Sequence, residues 1–287
     1  MPMVDVFMPE KFWKGRRGYS RSRKDIEKFV DMLVAKGYTD NDIRDNLRSK
    51  ENEGIFVMEF RLKNLKLVES KRELGTLPEG KLLINTINAH SYNTALEDKL
   101  FAEALLGGDA LIPDGASIVK ACRWLGAKSL PVERVAGWDL FEFEMARLNA
   151  KGGRCMFMGS SPKVLGLIVA RAREVYPNIE VVTYSPPYKP EFSPEENRAI
   201  VDAINAADPD LLWIGMTAPK QEKWTYAHWP ELKIHCHVGT VGAVFDFFAG
   251  TVKRAPLWWQ NHGLEWLYRL LKEPRRMWRR YVVGNVK

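Results

Sequence analysis

Short apolar runs alternating with helix-like stretches predict an α/β protein. Leu82-Leu83-Ile84, Ala110-Leu111-Ile112 and the runs at 154–158, 179–182, 210–214 and 234–238 each read as a buried strand. Most lead, through a few Gly, Ser, Asp or Pro residues, into a segment with helical spacing. Polar residues also sit just past several of the runs, where open α/β sheets bind ligands. These observations predict a Rossmann-like parallel sheet with helices on both faces and right-handed crossovers. To this core, 55–250, the sequence adds an N-terminal extension, 1–54, and a basic amphipathic helical appendage, 251–287.

The elements follow in order. Residues 1–24 are basic and aromatic, which suits either a tail for an acidic surface or a solvated arm. Residues 25–36 read as an amphipathic helix through Ile26, Phe29, Val30 and Leu33, stopped by Gly37. Thr39 to Asp42 can cap a further short helix. Residues 55–67 contain strand-like pieces, and Gly75, Pro78 and Gly80 make 73–81 the best candidate boundary. Helices are then expected at about 93–106, 116–125 and 163–176, from Ser193-Pro194 onward, and at 220–229. Ser193 suits the cap and Pro194 the first turn. No internal repeat or low-complexity segment interrupts the pattern.

Composition narrows the partners. The chain of 287 residues is 46% apolar, enough for a sizeable core, and carries a net charge of +7. That excess favours an anionic partner: a nucleotide, a nucleic acid or an acidic membrane surface. Beyond residue 252, nine basic residues face only Glu265 and Glu273. Three cysteines without CxxC spacing fit reduced thiols better than a disulfide framework. No uncharged apolar run is long enough to span a bilayer, and the N-terminus lacks the apolar core of a signal peptide.

Two runs concentrate chemistry. Asn85-Thr86-Ile87-Asn88-Ala89-His90 and Ile112-Pro113-Asp114-Gly115-Ala116-Ser117 each place polar groups between a strand and a helix. Asp114 can accept a proton there, and Thr86 and Asn88 can hold hydroxyls or phosphates. The commoner use of Asp114 or Ser117 is to cap the next helix. Met158-Gly159-Ser160-Ser161-Pro162 offers a helix mouth to a phosphate, but an ordinary strand-helix turn explains it as well, and a dinucleotide fingerprint is missing. Pro219 and Glu222 suit a helix start; Lys220 and Gln221 stand near the sheet edge without so simple a reason. Gly239 and Gly242 allow close backbone approach to a ligand. Asp246 lies in an apolar run and needs a partner, either a sugar hydroxyl or an arginine such as Arg254. His235 and His237 would share one strand face. With no third ligand in reach of that spacing, both read as structural rather than zinc-binding.

The C-terminal stretch puts Leu264, Leu267, Tyr268, Leu271, Trp278 and Val282 on one helical stripe and Arg269, Lys272, Arg276, Arg279 and Arg280 on another, broken at Pro274. Trp258, Trp259 and Trp266 add amphipathic rings. Such a segment suits a membrane interface, a nucleic-acid surface or a docked helix with a solvated face.

As an ordered set, these runs resemble the WecG/TagA/CpsF glycosyltransferases, family 26 of the glycosyltransferase classification. The matching pieces are Thr86-Ile87-Asn88, Pro113-Asp114-Gly115, Arg134-Val135-Ala136-Gly137 and Ala218-Pro219-Lys220-Gln221-Glu222. Val238-Gly239 through Phe245-Asp246 and Gly250, Arg254-Ala255-Pro256, and the run from Gly263 to Pro274 complete them. The resemblance covers about residues 82–281. Residues 1–54 have no counterpart in it. Where the family has a Gly-x-Gly before its Pro-Lys-Gln-Glu, this chain reads Gly215-Met216-Thr217-Ala218.

The resemblance implies an inverting transfer from a UDP-sugar, carrying N-acetylmannosamine, its uronic acid or a hexose, to a polyprenyl-diphosphate-linked sugar. Family members act in teichoic acid linkage, enterobacterial common antigen and exopolysaccharide synthesis. It implies Asp114 as general base, Thr86 and Asn88 positioning sugars, and Gln221 and Asp246 contacting the nucleotide-sugar. Arg134, Arg269, Arg276 and Arg279 would balance diphosphate charge, with no metal or other cofactor required. The expected location is cytoplasmic, peripheral at the inner face of the cell membrane. Expected partners are the two substrates and the anionic membrane surface, with no nucleic acid; a homo-oligomer is allowed. The alternative from another class, a basic nucleic-acid-binding protein, accounts only for the arginine-rich ends.

Overall fold

The structure is a computed structural model, described at residues 60–256, 258–259 and 265–272. The 1–54 extension lies outside the described residues. Six parallel strands form one sheet: β1 (Leu82–Ile87), β2 (Ala110–Pro113), β3 (Gly153–Gly159), β4 (Ile179–Tyr184), β5 (Leu211–Gly215) and β6 (His237–Thr240), in the order β2-β1-β6-β5-β3-β4. The helices are α1 (Ala89–Glu97), α2 (Lys99–Leu106), α3 (Ala116–Trp124), α4 (Gly137–Lys151), α5 (Pro162–Val175), α6 (Pro194–Ala207), α7 (Lys220–His228), α8 (Gly242–Ala249) and α9 (Glu265–Lys272).

The strands alternate between two apolar layers, as a period of two requires when both sheet faces are covered. Leu82 and Ile84, Cys155 and Phe157, and Leu211 and Trp213 pack with Phe141, Ile168 and Phe245 from α4, α5 and α8. Their neighbours Leu83, Met156, Met158, Leu212, Ile214 and Val238 pack on the other face with Ile200, Ile204 and Trp224 from α6 and α7. The predicted Rossmann-like α/β architecture, with helices on both faces, is therefore the observed one. All three cysteines are buried and unbridged.

Several elements differ from the expectation. The helix expected at 93–106 is two helices, because Asp98 interrupts the first and caps the second, accepting from the Phe101 N–H at 3.0 Å. Helix α4 is absent from the sequence reading. Its stretch Leu140-Phe141-Glu142-Phe143-Glu144-Met145 alternates apolar and acidic residues like a strand, and its start lacks a capping side chain at Ala136; Asp139 instead accepts the Ala136 N–H at 2.8 Å. Residues 60–68 hold no strand. Phe60, Leu62, Leu65 and Leu67 are buried, and Val68 and Leu74 belong to the sheet's core, so the turn-rich stretch at 73–81 is internal rather than a boundary.

His235 and His237 do not share a face. The last strand begins only at His237, because the preceding chain is held by Lys81 Nζ donating to the Trp229 and Leu232 carbonyls, both at 2.6 Å. His235 is exposed. His237 is buried at the amino end of β6, where its Nδ1 meets Glu144 at 2.9 Å and its Nε2 meets the Pro78 carbonyl at 2.9 Å.

The adjacent strands β1 and β6 are tied by side chains. Thr240 Oγ1 donates to Asn85 Oδ1 at 2.8 Å, and Asn85 Nδ2 donates to the Ala104 carbonyl at 2.9 Å, all buried. Replacing Asn85 by Leu keeps the volume but strands both partners. Asn85→Leu is expected to lower stability by about 3 kcal/mol, with Thr240→Val in the same chain recovering part of it. Urea denaturation checks this; an unchanged midpoint in Asn85→Leu would show that the tie is not needed.

Candidate active site

Strand β1 is followed by helices on one face of the sheet and β6 by α8 on the other, so a crevice opens between their carboxyl ends. On one wall, Asn88 and Asp114 come together. The Asp114 N–H donates to the Ile87 carbonyl at 2.8 Å, and Gly115 lies so close to Asn88 that a Cβ there would stand 3.5 Å from the Asn88 Cβ. Asn88 spends its Oδ1 on the Ser91 N–H, capping α1. Asp114 does not cap α3: the cap position is Gly115, with no side-chain bond. The bland role foreseen for Asp114 is thus not the one it plays.

The mouth of α4 forms the next part of the wall. A Cβ on Gly137 would lie 3.3 Å from Val241 and 3.7 Å from Thr86, so β1, α4 and the loop after β6 converge there. Arg134, just before α4, donates to Glu265 of α9 at 3.0 Å. Burial disfavours its charge, but the carboxylates of Asp114 and Glu265 outweigh that and hold its pKa above the ordinary value.

Gln221 and Glu222 form the floor. Both are buried, and Gln221 Nε2 donates to Glu222 Oε1 at 2.8 Å. Gln221 Oε1 occupies the space that a Gly242 side chain would need, 2.8 Å from that Cβ position. Gly242 is thus explained by Gln221, and Gly239 by the Trp213 ring, 2.3 Å from a Cβ there, rather than by a ligand. Asp246 lies one turn into α8 and accepts the Thr251 hydroxyl at 3.3 Å; Arg254, its suggested partner, stacks instead over Trp138, 5.0 Å from the ring centroid.

Of the other residues, Arg269 lies in α9, and Arg276 and Arg279 lie outside the described residues. In the Met158–Pro162 turn Ser160 takes a left-handed backbone, φ 57°, and Ser161 caps α5 by accepting the Val164 N–H at 3.3 Å. Lys220 donates to the Lys189 carbonyl at 2.6 Å and lies 3.5 Å from the Phe192 ring centroid. Among the described residues, no group of three His, Cys, Asp or Glu is placed to hold a metal ion, and no helix is long and apolar enough to cross a membrane.

The model of the family described as "Glycosyl transferase WecG/TagA/CpsF family" matches residues 55–287. The chain belongs to that family. It is therefore a glycosyltransferase of cell-surface polysaccharide synthesis, and the crevice holding Asp114 is its candidate active site.

Sequence reasoning missed Asn85, Glu222 and Glu265. Asn85 carries a signal, a polar residue inside an apolar run. Glu222 reads as a helix-start carboxylate, and only the fold reveals that it is buried. Burial raises its pKa from 4.5 to about 7, against the hydrogen bond from Gln221. The fold thus holds a proton that the unfolded chain releases above pH 4.5. The contribution of Glu222 to stability falls as pH rises from about 4.5 to about 7, then levels off. Glu222→Gln, which cannot ionise, is expected to match the wild type below pH 4.5 and to exceed it by up to about 3 kcal/mol at pH 8. Urea titrations of both at the two pH values check this; a constant difference would contradict it.

Proposed function

We propose that the chain transfers a sugar from a UDP-sugar to a polyprenyl-diphosphate-linked sugar, with inversion and without a metal, at the inner face of the cell membrane. The observation that carries this is the placement of Asp114: at the carboxyl end of β2, beside Asn88, close enough to Arg134 to favour its charge, and one residue before the cap position of α3, which is Gly115. A single displacement needs one base and a means of stabilising the departing diphosphate. The Asp114 carboxylate takes the proton of the acceptor hydroxyl. The hydroxyl oxygen forms its bond to the anomeric carbon while the bond to UDP breaks, and the electron pair leaves on the diphosphate oxygen. Arg134 stands beside the base to meet the charge that develops.

Thr86 and Asn88 line the same wall and suit the sugars; Gln221 and Asp246 belong to the β5 and β6 side and suit the donor. Arg269, Arg276 and Arg279 would add cationic groups from the appendage. The donor sugar is N-acetylmannosamine, its uronic acid or a hexose. Trp258 and Leu271 of the appendage are 58% and 65% exposed, which suits a surface settling on anionic lipid. Family membership favours a glycan substrate over the nucleic-acid alternative.

The test is a screen of UDP-sugars against a short-chain prenyl-diphosphate-sugar, read by mass spectrometry with and without EDTA. One UDP-sugar is expected to transfer, equally well with the chelator present. Asp114→Asn is expected to keep the fold and UDP binding while lowering kcat by about 10²–10⁴-fold. Near-normal turnover of that variant would remove Asp114 from the mechanism, and loss of activity in EDTA restored by Mg²⁺ or Mn²⁺ would overturn metal independence.

A further inference from the structure

Arg254 lies just beyond α8 in an unusual setting. Its guanidinium stands 5.0 Å from the Trp138 ring centroid and 6.0 Å from that of Phe247. Its Nε is buried and has no hydrogen-bond partner among the described residues. Arg134 is close enough to repel it, and Glu265 close enough to attract it. Glu265, however, accepts a hydrogen bond from Arg134, at 3.0 Å. Burial, and then Arg134, depress the Arg254 pKa despite the pull of Glu265. Two guanidiniums are therefore within electrostatic reach of one carboxylate, which only the first touches, and the second still has a buried donor unmatched.

A buried donor without an acceptor and two neighbouring cations are both costly when the site is empty. A ligand with more charge and more oxygens than a carboxylate relieves both. We propose that Arg134 and Arg254 form a seat for a diphosphate, and that Glu265 fills part of that seat until the diphosphate arrives. This deepens the glycosyltransferase reading and rests on it for the source of the ligand. The guanidinium fork accepts a carboxylate and a phosphate in the same planar geometry, so the exchange needs no rebuilding of Arg134. Trp138 and Phe247 hold the Arg254 plane from the side. Because Glu265 belongs to α9, occupation of the seat is linked to release of the start of the appendage helix from Arg134.

Calorimetry on the full chain tests this with three probes: inorganic pyrophosphate, UDP, and farnesyl diphosphate in detergent. Glu265→Gln removes the competing charge and is expected to tighten pyrophosphate about tenfold; Arg254→Lys keeps the charge, loses the fork and is expected to weaken it about tenfold. Melting temperatures near that of the wild type show that both variants fold, and Arg254→Lys is preferred to Arg254→Ala for that reason. The same pair of changes with UDP assigns the seat to the donor; with farnesyl diphosphate, to the acceptor. Unchanged or weaker pyrophosphate binding in Glu265→Gln, or wild-type binding in Arg254→Lys, overturns the seat. Wild-type transfer is measured separately: if the binding changes appear but no sugar moves, the seat stands and the assigned reaction fails.

Discussion

The pairing of β1 with β6 organises this molecule. These strands are joined by the buried bond from Thr240 to Asn85, which spans 155 positions of the chain. Because the chain leaves β1 toward one face of the sheet and β6 toward the other, their carboxyl ends cannot be covered by the same helix, and a crevice must open there. Asn85 is what lets two polar groups sit in that core at no cost: its oxygen satisfies Thr240 and its amide satisfies the end of α2. Residues from 86 to 137 and from 221 to 246 meet across this junction, although sequence distance separates them widely.

The chemistry gathered at the crevice is a problem of charge balance. Asp114, Asp139 and Glu265 are set against Arg134 and Arg254, with Lys71 reaching Asp139 at 3.0 Å. Most of these groups are partly buried, so the surrounding water screens them less than it would at a surface. Arg134 stays firmly charged because two carboxylates outweigh the loss of solvent around it. Arg254 has less support and depends on aromatic faces. In the proposed reaction an incoming diphosphate completes this field beside the Asp114 carboxylate. Beneath them, Gln221 and Glu222 supply a neutral floor, since burial favours the protonated form of Glu222 up to about pH 7.

Where strands are short apolar runs that end at Gly or Pro, the sequence reading and the structure agree, as at β2, β3 and β5. Buried parallel strands are short apolar runs, and little else in the chain resembles them. The reading failed at α4, where alternating Phe and Glu imitate a strand, and at His235, where the chain is extended but not yet paired. Family resemblance placed Asp114, Thr86, Asn88 and Arg134 in one site, and the fold brings these four to one wall. It could not reveal that Gly239 makes room for Trp213, because that depends on a neighbour well along the chain; the cap that Asn88 places on α1 through Ser91 is local, and the reading simply passed over it. Arg254 was legible as a candidate partner of Asp246 and, like Glu265, as part of a run that resembles the family. Their meeting with Arg134 is a tertiary fact, set by how α9 and α8 pack.

A second crevice is possible in principle, where β5 and β3 send their helices to opposite faces. It is pinched: Gly159 approaches Gly215 so closely that a Cβ would lie 2.2 Å from the Gly215 carbonyl oxygen, and Ser161 already caps α5. Substrates are expected in the β1–β6 crevice instead. Hydrogen–deuterium exchange with UDP, and then with a prenyl-diphosphate acceptor, tests this most directly. The account predicts slowed exchange at residues 88–91, 114–118, 134–139 and 240–246. Protection confined to 159–164 and 185–193, with the β1–β6 junction unchanged, would contradict it.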